Sequence, residues 1–374
     1  MRVAPEQELH WESMLAGIRA QVDWLARGPR EALDDARAAI EGPAPPAIYL
    51  VGCGDSHYAG VAARQAFQSW SGIPTYAVPS LQFSRYDVQH ARQGAWAICV
   101  SNSGRVVRTV EAALAARRHG LRSIGVTYVP DSRLAESAEV TLGYRYDDPG
   151  FGPGTVSYVA SLTVLYALAL RAGELSGRLL SAEADARVRL VAGQSAVAAR
   201  TIELADVPAA ELGRATPAET PIRILGAGPS YGTALFGRAK LIEAARVPAE
   251  ACELEEWAHE EFFCTGPGSL TLVLAPAGAS ADRAAEQLQA IRDVGGASVV
   301  VCPDDSPGAA LADRVLPVAA ETAEELTPLT FCIPLELFAY HFASTKGLTM
   351  LGFDDERRKE INFRQIFGSR LAAE

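Results

Sequence analysis

The chain has 374 residues, 49% hydrophobic, 21% charged and 7% aromatic, which is apolar material enough for two domain cores. Its net charge of −11 excludes a general electrostatic attraction to nucleic-acid phosphates or to anionic lipid. No apolar run is expected to cross a membrane, because Arg, Asp, Glu or Gly interrupts each candidate, and the N-terminal MRVAPEQELHWES lacks the apolar segment of a signal peptide.

In chain order, residues 1–46 read as a helical arm ending in the Pro-rich Gly42–Pro46. A first module over 47–181 begins with the apolar run Ile48–Val51, a Gly-containing turn and an amphipathic helix over Gly60–Ser71. Trp96–Val100 predicts a second strand, followed by a small-residue turn and a helix over Val106–His119; Ser123–Tyr128 predicts a third, closed by Pro130-Asp131. A linker over 182–220 is helical at Ala182–Leu204 and turn-rich at Leu212–Pro221. The second module, 221–350, repeats the grammar: strands at Ile222–Leu225, Leu270–Leu274 and Ala297–Cys302, helices at Gly232–Ala245 and Ala281–Val294. Ala249–Glu261 reads as a turn segment, a last helix starts near Pro334, and 351–374 is a charged tail.

The two modules are copies. At a shift of 174 residues Gly52 meets Gly226, Gly54 meets Gly228, Ser56 meets Ser230 and Arg64 meets Arg238. Strands alternating with helices of this length are βαβ units, so the expected fold is α/β: two tandem, doubly wound, flavodoxin-like parallel sheets related by duplication. The six cysteines are scattered, with no C-x-x-C pair and no His at ligand spacing, which predicts a cytoplasmic chain without a metal.

Chemistry is sought where the copies differ. Ser101-Asn102-Ser103-Gly104 follows the second strand of the first module, whereas the duplicate has Ala275-Pro276-Ala277-Gly278. A Ser-x-Ser-Gly turn feeding a helix can hold a phosphate between hydroxyls and backbone N–H groups, and Ser56 adds a hydroxyl at a neighbouring strand end. One such turn alone would be an ordinary loop; two at adjacent strand ends, one lost from its duplicate, point to an anion. On the first helix of the second module, Lys240 and Glu243 replace Ala66 and Ser69 and share one face. Alone they would be a solvent-exposed pair; beside them His259, in an acidic and aromatic stretch, is an acid/base candidate. Dinucleotide, Walker and nucleophile-elbow motifs all fail, and no cofactor is expected.

These features resemble the double sugar-isomerase-domain (SIS) family, which includes the isomerase half of glucosamine-6-phosphate synthase, aminosugar-phosphate deaminases and ketosamine-6-phosphate deglycases. The likeness runs from Ile48 to Asp355 and is most specific over Ala234–His259, ALFGRAKLIEAARVPAEACELEEWAH. It implies Glu243 as catalytic carboxylate, Lys240 as its companion, His259 for ring opening, and Ser56, Ser101, Asn102 and Ser103 as the phosphate loop. Asp55, Ser157 and Arg358 (with Arg357 or Lys359 as substitutes) are further implied substrate contacts. Departures from the family pattern are Phe236 where a Glu is usual, Asp55 and Val106 for Thr, and Arg105 for Glu. Arg2 after Met1 leaves no N-terminal Cys nucleophile, so glutamine-dependent amination is not expected.

The resemblance implies an enzyme that transfers a proton between C1 and C2 of an open-chain amino- or ketosamine-sugar phosphate, by deglycase, deaminase or isomerase chemistry. It also implies a homodimer, with His259 contributed across the interface. The alternative of another class is a non-catalytic sugar-phosphate sensor on the same fold.

Overall fold

The structure is a computed structural model that describes Trp11–Leu371. Residues 1–10 and 372–374, which hold the start of the predicted arm, the stretch without signal-peptide character, Arg2 and the end of the tail, lie outside the described residues.

The elements run α1 (Trp11–Ala39), β1 (Ile48–Gly52), α2 (Asp55–Ser71), β2 (Thr75–Pro79), α3 (Ser80–Gln82), β3 (Trp96–Val100), α4 (Val107–Arg118), β4 (Arg122–Thr127), α5 (Arg133–Ser137), β5 (Val140–Gly143), α6 (Val156–Leu175) and α7 (Ser181–Ala215). The duplicate comes next as β6 (Ile222–Gly226), α8 (Pro229–Ala245), β7 (Ala249–Glu253), β8 (Leu270–Leu274), α9 (Ala281–Asp293), β9 (Ala297–Cys302), β10 (Arg314–Pro317) and α10 (Cys332–Thr345), then α11 (Glu356–Phe367).

Both sheets are parallel and five-stranded, ordered β2-β1-β3-β4-β5 and β10-β9-β8-β6-β7. Read from either edge strand these are the same flavodoxin-like order, with the crossover direction reversing between β1 and β3 and between β6 and β8. The central strands Trp96–Val100, Ile222–Gly226 and Leu270–Leu274 are buried at every residue, as parallel strands covered on both faces must be.

The chain divides into two compact units. The first comprises Asp23–Tyr146, Ser157–Gln194 and the described residues from Glu356; its sheet buries Val51, Phe83, Ala97, Cys99, Val110 and Leu134 in one cluster. The second comprises the described residues up to Val22, Asp147–Val156 and Ser195–Asp355; Leu225, Trp257, Val273, Leu288 and Val300 form its cluster. In this second unit α8 lies against β6, β7 and α10, and Gln21 of α1 donates to the buried Glu336 of α10 at 2.7 Å.

Three expectations are corrected. Ala249–Glu253, read as a turn, is the strand β7, paired along β6 from Ile222↔Ala249 to Gly226↔Glu253; backbone pairing at a sheet edge outweighs its two glutamates. Leu212–Ala215, read as turn-rich, continues α7. Two segments, Val156–Leu175 and Glu324–Thr345, are long and apolar enough to cross a membrane, yet 89% of the apolar stretch in each is buried within the protein, as core helices require.

Candidate functional site

In the first unit the candidate residues Asp55, Ser56 and Ser101–Ser103 sit at the switch point of the sheet. β1 and β3 are hydrogen-bonded neighbours, so the turns that come after them open at the same carboxyl edge. The turn after β1 is tight: a Cβ on Gly52 would lie 2.7 Å from His57 N, and one on Gly226, its duplicate, 2.4 Å from Ser230 O. Asp55 and Ser56 therefore occupy the first turn of α2. Burial lowers the pKa of His57, whose Nδ1 is buried without a hydrogen-bond partner among the described residues.

After β3, Ser101 is 2% exposed; its N–H donates to Val126 O at 3.0 Å and its hydroxyl oxygen is buried with no partner among the described residues. Gly104 N–H donates to Ser101 O at 3.0 Å, closing the loop, and Arg105 N–H donates to Ser103 Oγ at 3.3 Å. Asn102 is held on two sides. Its carbonyl accepts from Tyr128 N–H (3.1 Å) and Thr127 Oγ1 (3.2 Å), and its Oδ1 accepts from the hydroxyls of Tyr144 and Tyr146, each at 3.1 Å.

The duplicate loop in the second unit is differently filled. Ala277 N–H donates to Glu321 Oε2 at 3.1 Å and Ala279 N–H to Glu324 Oε2 at 3.2 Å. Glu324 comes so close that a Cβ on Gly278 would fall 2.6 Å from its Oε2. This loop thus holds oxyanions on its backbone N–H groups, and the oxyanions are the chain's own carboxylates.

The second unit also carries the helix-borne pair. Phe236, Lys240 and Glu243 recur along one face of α8 at i, i+4 and i+7. Lys240 is wholly buried: its Nζ donates to Glu243 Oε2 at 2.5 Å and to Gly154 O at 2.9 Å, and lies 4.8 Å from the centroid of the Phe236 ring. Glu243 keeps 31% of its side chain exposed. The pair is therefore not the solvent-exposed couple that i,i+3 spacing alone suggests, because the Lys stem and ammonium lie inside the unit. Phe236, where the family pattern has Glu, gives the ammonium an aromatic face.

His259 ends a short helical turn, Glu256–Ala258, with its side chain 66% exposed. Its polar side-chain partner is Glu255 at 3.6 Å, which also pairs with Arg283. The structure brings Lys240 and Glu243 together but joins His259 to neither within the chain. Ser157 lies in the first turn of α6, where its carbonyl accepts from Ser161 Oγ at 2.8 Å; Arg358 lies on α11, which buries none of its side chains.

Sequence reasoning missed Tyr144, Tyr146, Glu321, Glu324 and the Gly154 carbonyl. The tyrosines had a signal, since a Tyr-x-Tyr after a strand puts both rings on one face; a carbonyl or a carboxylate arriving from elsewhere in the chain has none. A cavity of about 590 Å³ in the second unit lies at the amino ends of its strands, lined by Thr220, Ser269 and Ala297. It is remote from the carboxyl-end turns where ligands of such sheets sit, so the loop geometry is the better guide to the site.

Residues 44–171 match the SIS domain family. The matched segment runs from before β1 into α6 and contains the whole first sheet. The chain is 28% identical over 302 residues to a glutamine–fructose-6-phosphate aminotransferase [isomerizing] of Bradyrhizobium diazoefficiens, covering 80% of this chain and 49% of the relative. It thus spans about half the length of the curated relatives it matches. Among solved structures, the C-terminal domain of glucosamine-fructose-6-phosphate aminotransferase from Francisella tularensis superposes with a TM-score of 0.79 at 21% identity, over 93% of this chain and 99% of that one. Glucosamine-6-phosphate deaminase from Thermotoga maritima gives 0.70 at 17% identity, over 90% and 96%. At these identities the two structures share the fold.

Proposed function

We propose that the protein is an enzyme acting on the open-chain form of a phosphorylated amino- or ketosamine sugar, moving a proton between C1 and C2. The observation that carries this reading is the asymmetric pair on α8: a part-exposed carboxylate held at 2.5 Å by a wholly buried ammonium. An ordinary surface pair exposes both partners. Here the ammonium favours the ionised carboxylate, leaving Glu243 able to take a proton from one carbon and return it to the next.

Ser56, Ser101, Asn102 and Ser103 hold the phosphate in this reading, supplying binding energy remote from the reacting carbons. Support comes from the duplicate loop, whose equivalent backbone N–H groups bind carboxylate oxygens of Glu321 and Glu324. Asp55, Ser157 and Arg358 contact the remainder of the substrate. His259, exposed and separate from the pair, passes protons to the ring oxygen, and in a homodimer it serves the partner copy. The names of the relatives support a sugar-phosphate substrate, and three outcomes share the proton transfer: isomerisation, release of ammonia, or release of an amino acid.

The test is incubation with fructose 6-phosphate, glucosamine 6-phosphate and ketosamine 6-phosphates in deuterated water, reading C1/C2 deuterium incorporation beside ammonia, amino acid and sugar phosphate. Exchange is expected with the wild type, falling by about 10²–10⁴ in Glu243→Gln with ligand affinity little changed. Near-normal exchange by that variant refutes the role of Glu243. Binding without any exchange by the wild type replaces the enzyme by a sensor.

A further inference from the structure

An asparagine between two serines makes a phosphate loop ambiguous, because a carboxamide presents either a donor or an acceptor to the anion. Resting on the phosphate role proposed for this loop, we infer that Tyr144 and Tyr146 are positioning residues that lock Asn102 with its Nδ2 toward the anion.

Tyr144 and Tyr146 lie just beyond β5, two residues apart, so both rings fall on one side of the chain. They are 3% and 9% exposed, and both hydroxyls converge on Oδ1 of Asn102 at 3.1 Å. A carboxamide oxygen has two lone pairs, and two O–H donors fill them. The clamp is itself fixed. The Tyr146 ring lies 4.7 Å, centroid to centroid, from Tyr128, whose own N–H donates to the Asn102 carbonyl. Burial raises the pKa of Tyr144, so its hydroxyl remains a donor across the neutral range.

With both oxygens of Asn102 committed, the side chain has its NH₂ group to offer, and no protein group among the described residues bonds it. An amide turned the other way would present Oδ1 to a phosphate and repel it. The hydroxyls therefore set the sign of the dipole facing the ligand, and they do so from outside the loop. The duplicate offers a contrast: the residue equivalent to Asn102 is Pro276, which has no such amide.

The test compares wild type, Ser103→Ala, Asn102→Ala, the double variant Y144F/Y146F, and the triple variant with Asn102→Ala, using calorimetric titration with inorganic phosphate and with fructose 6-phosphate. Ser103→Ala is expected to weaken both ligands. Y144F/Y146F is expected to weaken them about tenfold, Asn102→Ala by a similar factor, and the triple variant no more than Asn102→Ala alone. That non-additivity separates positioning from general loosening, which would weaken binding in either background. Should the double variant fail to fold, Y146F alone is measured in the same two backgrounds, with about a threefold loss expected only where Asn102 is present.

If Ser103→Ala weakens binding while the tyrosine variants bind like wild type, the clamp is refuted and the phosphate loop stands. An additive loss in the Asn102→Ala background also refutes it. If wild type binds neither ligand, the loop reading and the clamp fall together.

Discussion

Replacing Glu243 by Leu takes the carboxylate away from the buried Lys240 ammonium, and the surroundings of that ammonium set the size and sign of the effect. Breaking a buried ion pair by removing one partner costs about 3–5 kcal/mol. Lys240 is wholly buried, but it retains the Gly154 carbonyl at 2.9 Å and the Phe236 ring at 4.8 Å. An aromatic face contributes up to about 2 kcal/mol to a desolvated cation, so the loss belongs near the lower end, about 3 kcal/mol. Adding Lys240→Met removes the buried charge at similar volume and takes its donor from the Gly154 carbonyl, a cost of about 1–3 kcal/mol. The double variant E243L/K240M is therefore expected to be more stable than E243L, by up to about 2 kcal/mol. Glu243→Gln keeps an oxygen for Nζ and should retain most of the stability while losing proton transfer, which separates folding from chemistry. Equilibrium urea unfolding of the four chains, monitored by tryptophan fluorescence, measures each contribution. A double variant less stable than E243L would show that Lys240 does not depend on the carboxylate for its burial, and the electrostatic reasoning would be wrong.

Acid stability should depend on His57. Burial lowers its pKa in the folded chain, so on acidification the unfolded chain takes up its proton first; this contribution is full above about pH 6.5 and is lost as pH falls toward the folded value. His57→Gln should flatten the decline in unfolding free energy between about pH 7 and 5, and an unchanged slope would refute the assignment. Thiol reactivity should track exposure: Cys264 is exposed and Cys53 half-buried, whereas Cys99, Cys252, Cys302 and Cys332 are buried. Burial pushes the Cys99 thiol to about 12, and burial together with Glu261 does the same for Cys252. Ellman's reagent at about pH 8, near the ordinary thiol pKa, should label Cys264 first, Cys53 more slowly and the others only in denaturant. Early labelling at Cys99 or Cys332 would contradict the packing.

Much of the fold is legible in the residues. Ile48–Val51 and Trp96–Val100 are unbroken apolar runs, and Ile222–Leu225 and Leu270–Leu274 are broken only by Arg223 and Thr271, as strands covered on both faces require, and their spacing with helical segments dictates a parallel sheet. The strands that escaped notice are β2, β5, β7 and β10, and all are sheet edges. Edge strands are short and tolerate polar residues and proline, as Pro79, Glu250 and Pro317 show, so their sequences carry little strand signal.

At the candidate site the division is similar. Residue types and helical spacing were enough to single out Lys240 with Glu243, and the difference between duplicated turns was enough to single out Ser101–Ser103. Sequence alone could not tell that Lys240 is buried, because the Gly154 carbonyl that receives it lies 86 residues away. Nor could it tell that Asn102 is gripped by Tyr144 and Tyr146, 42 and 44 residues on, or that Glu321 and Glu324 occupy the duplicate loop from 44 and 45 residues beyond it. Periodicity and turn chemistry act within a few residues and so determine elements and their order. Burial, orientation and the occupant of a loop are set by groups that meet only when the sheets have formed.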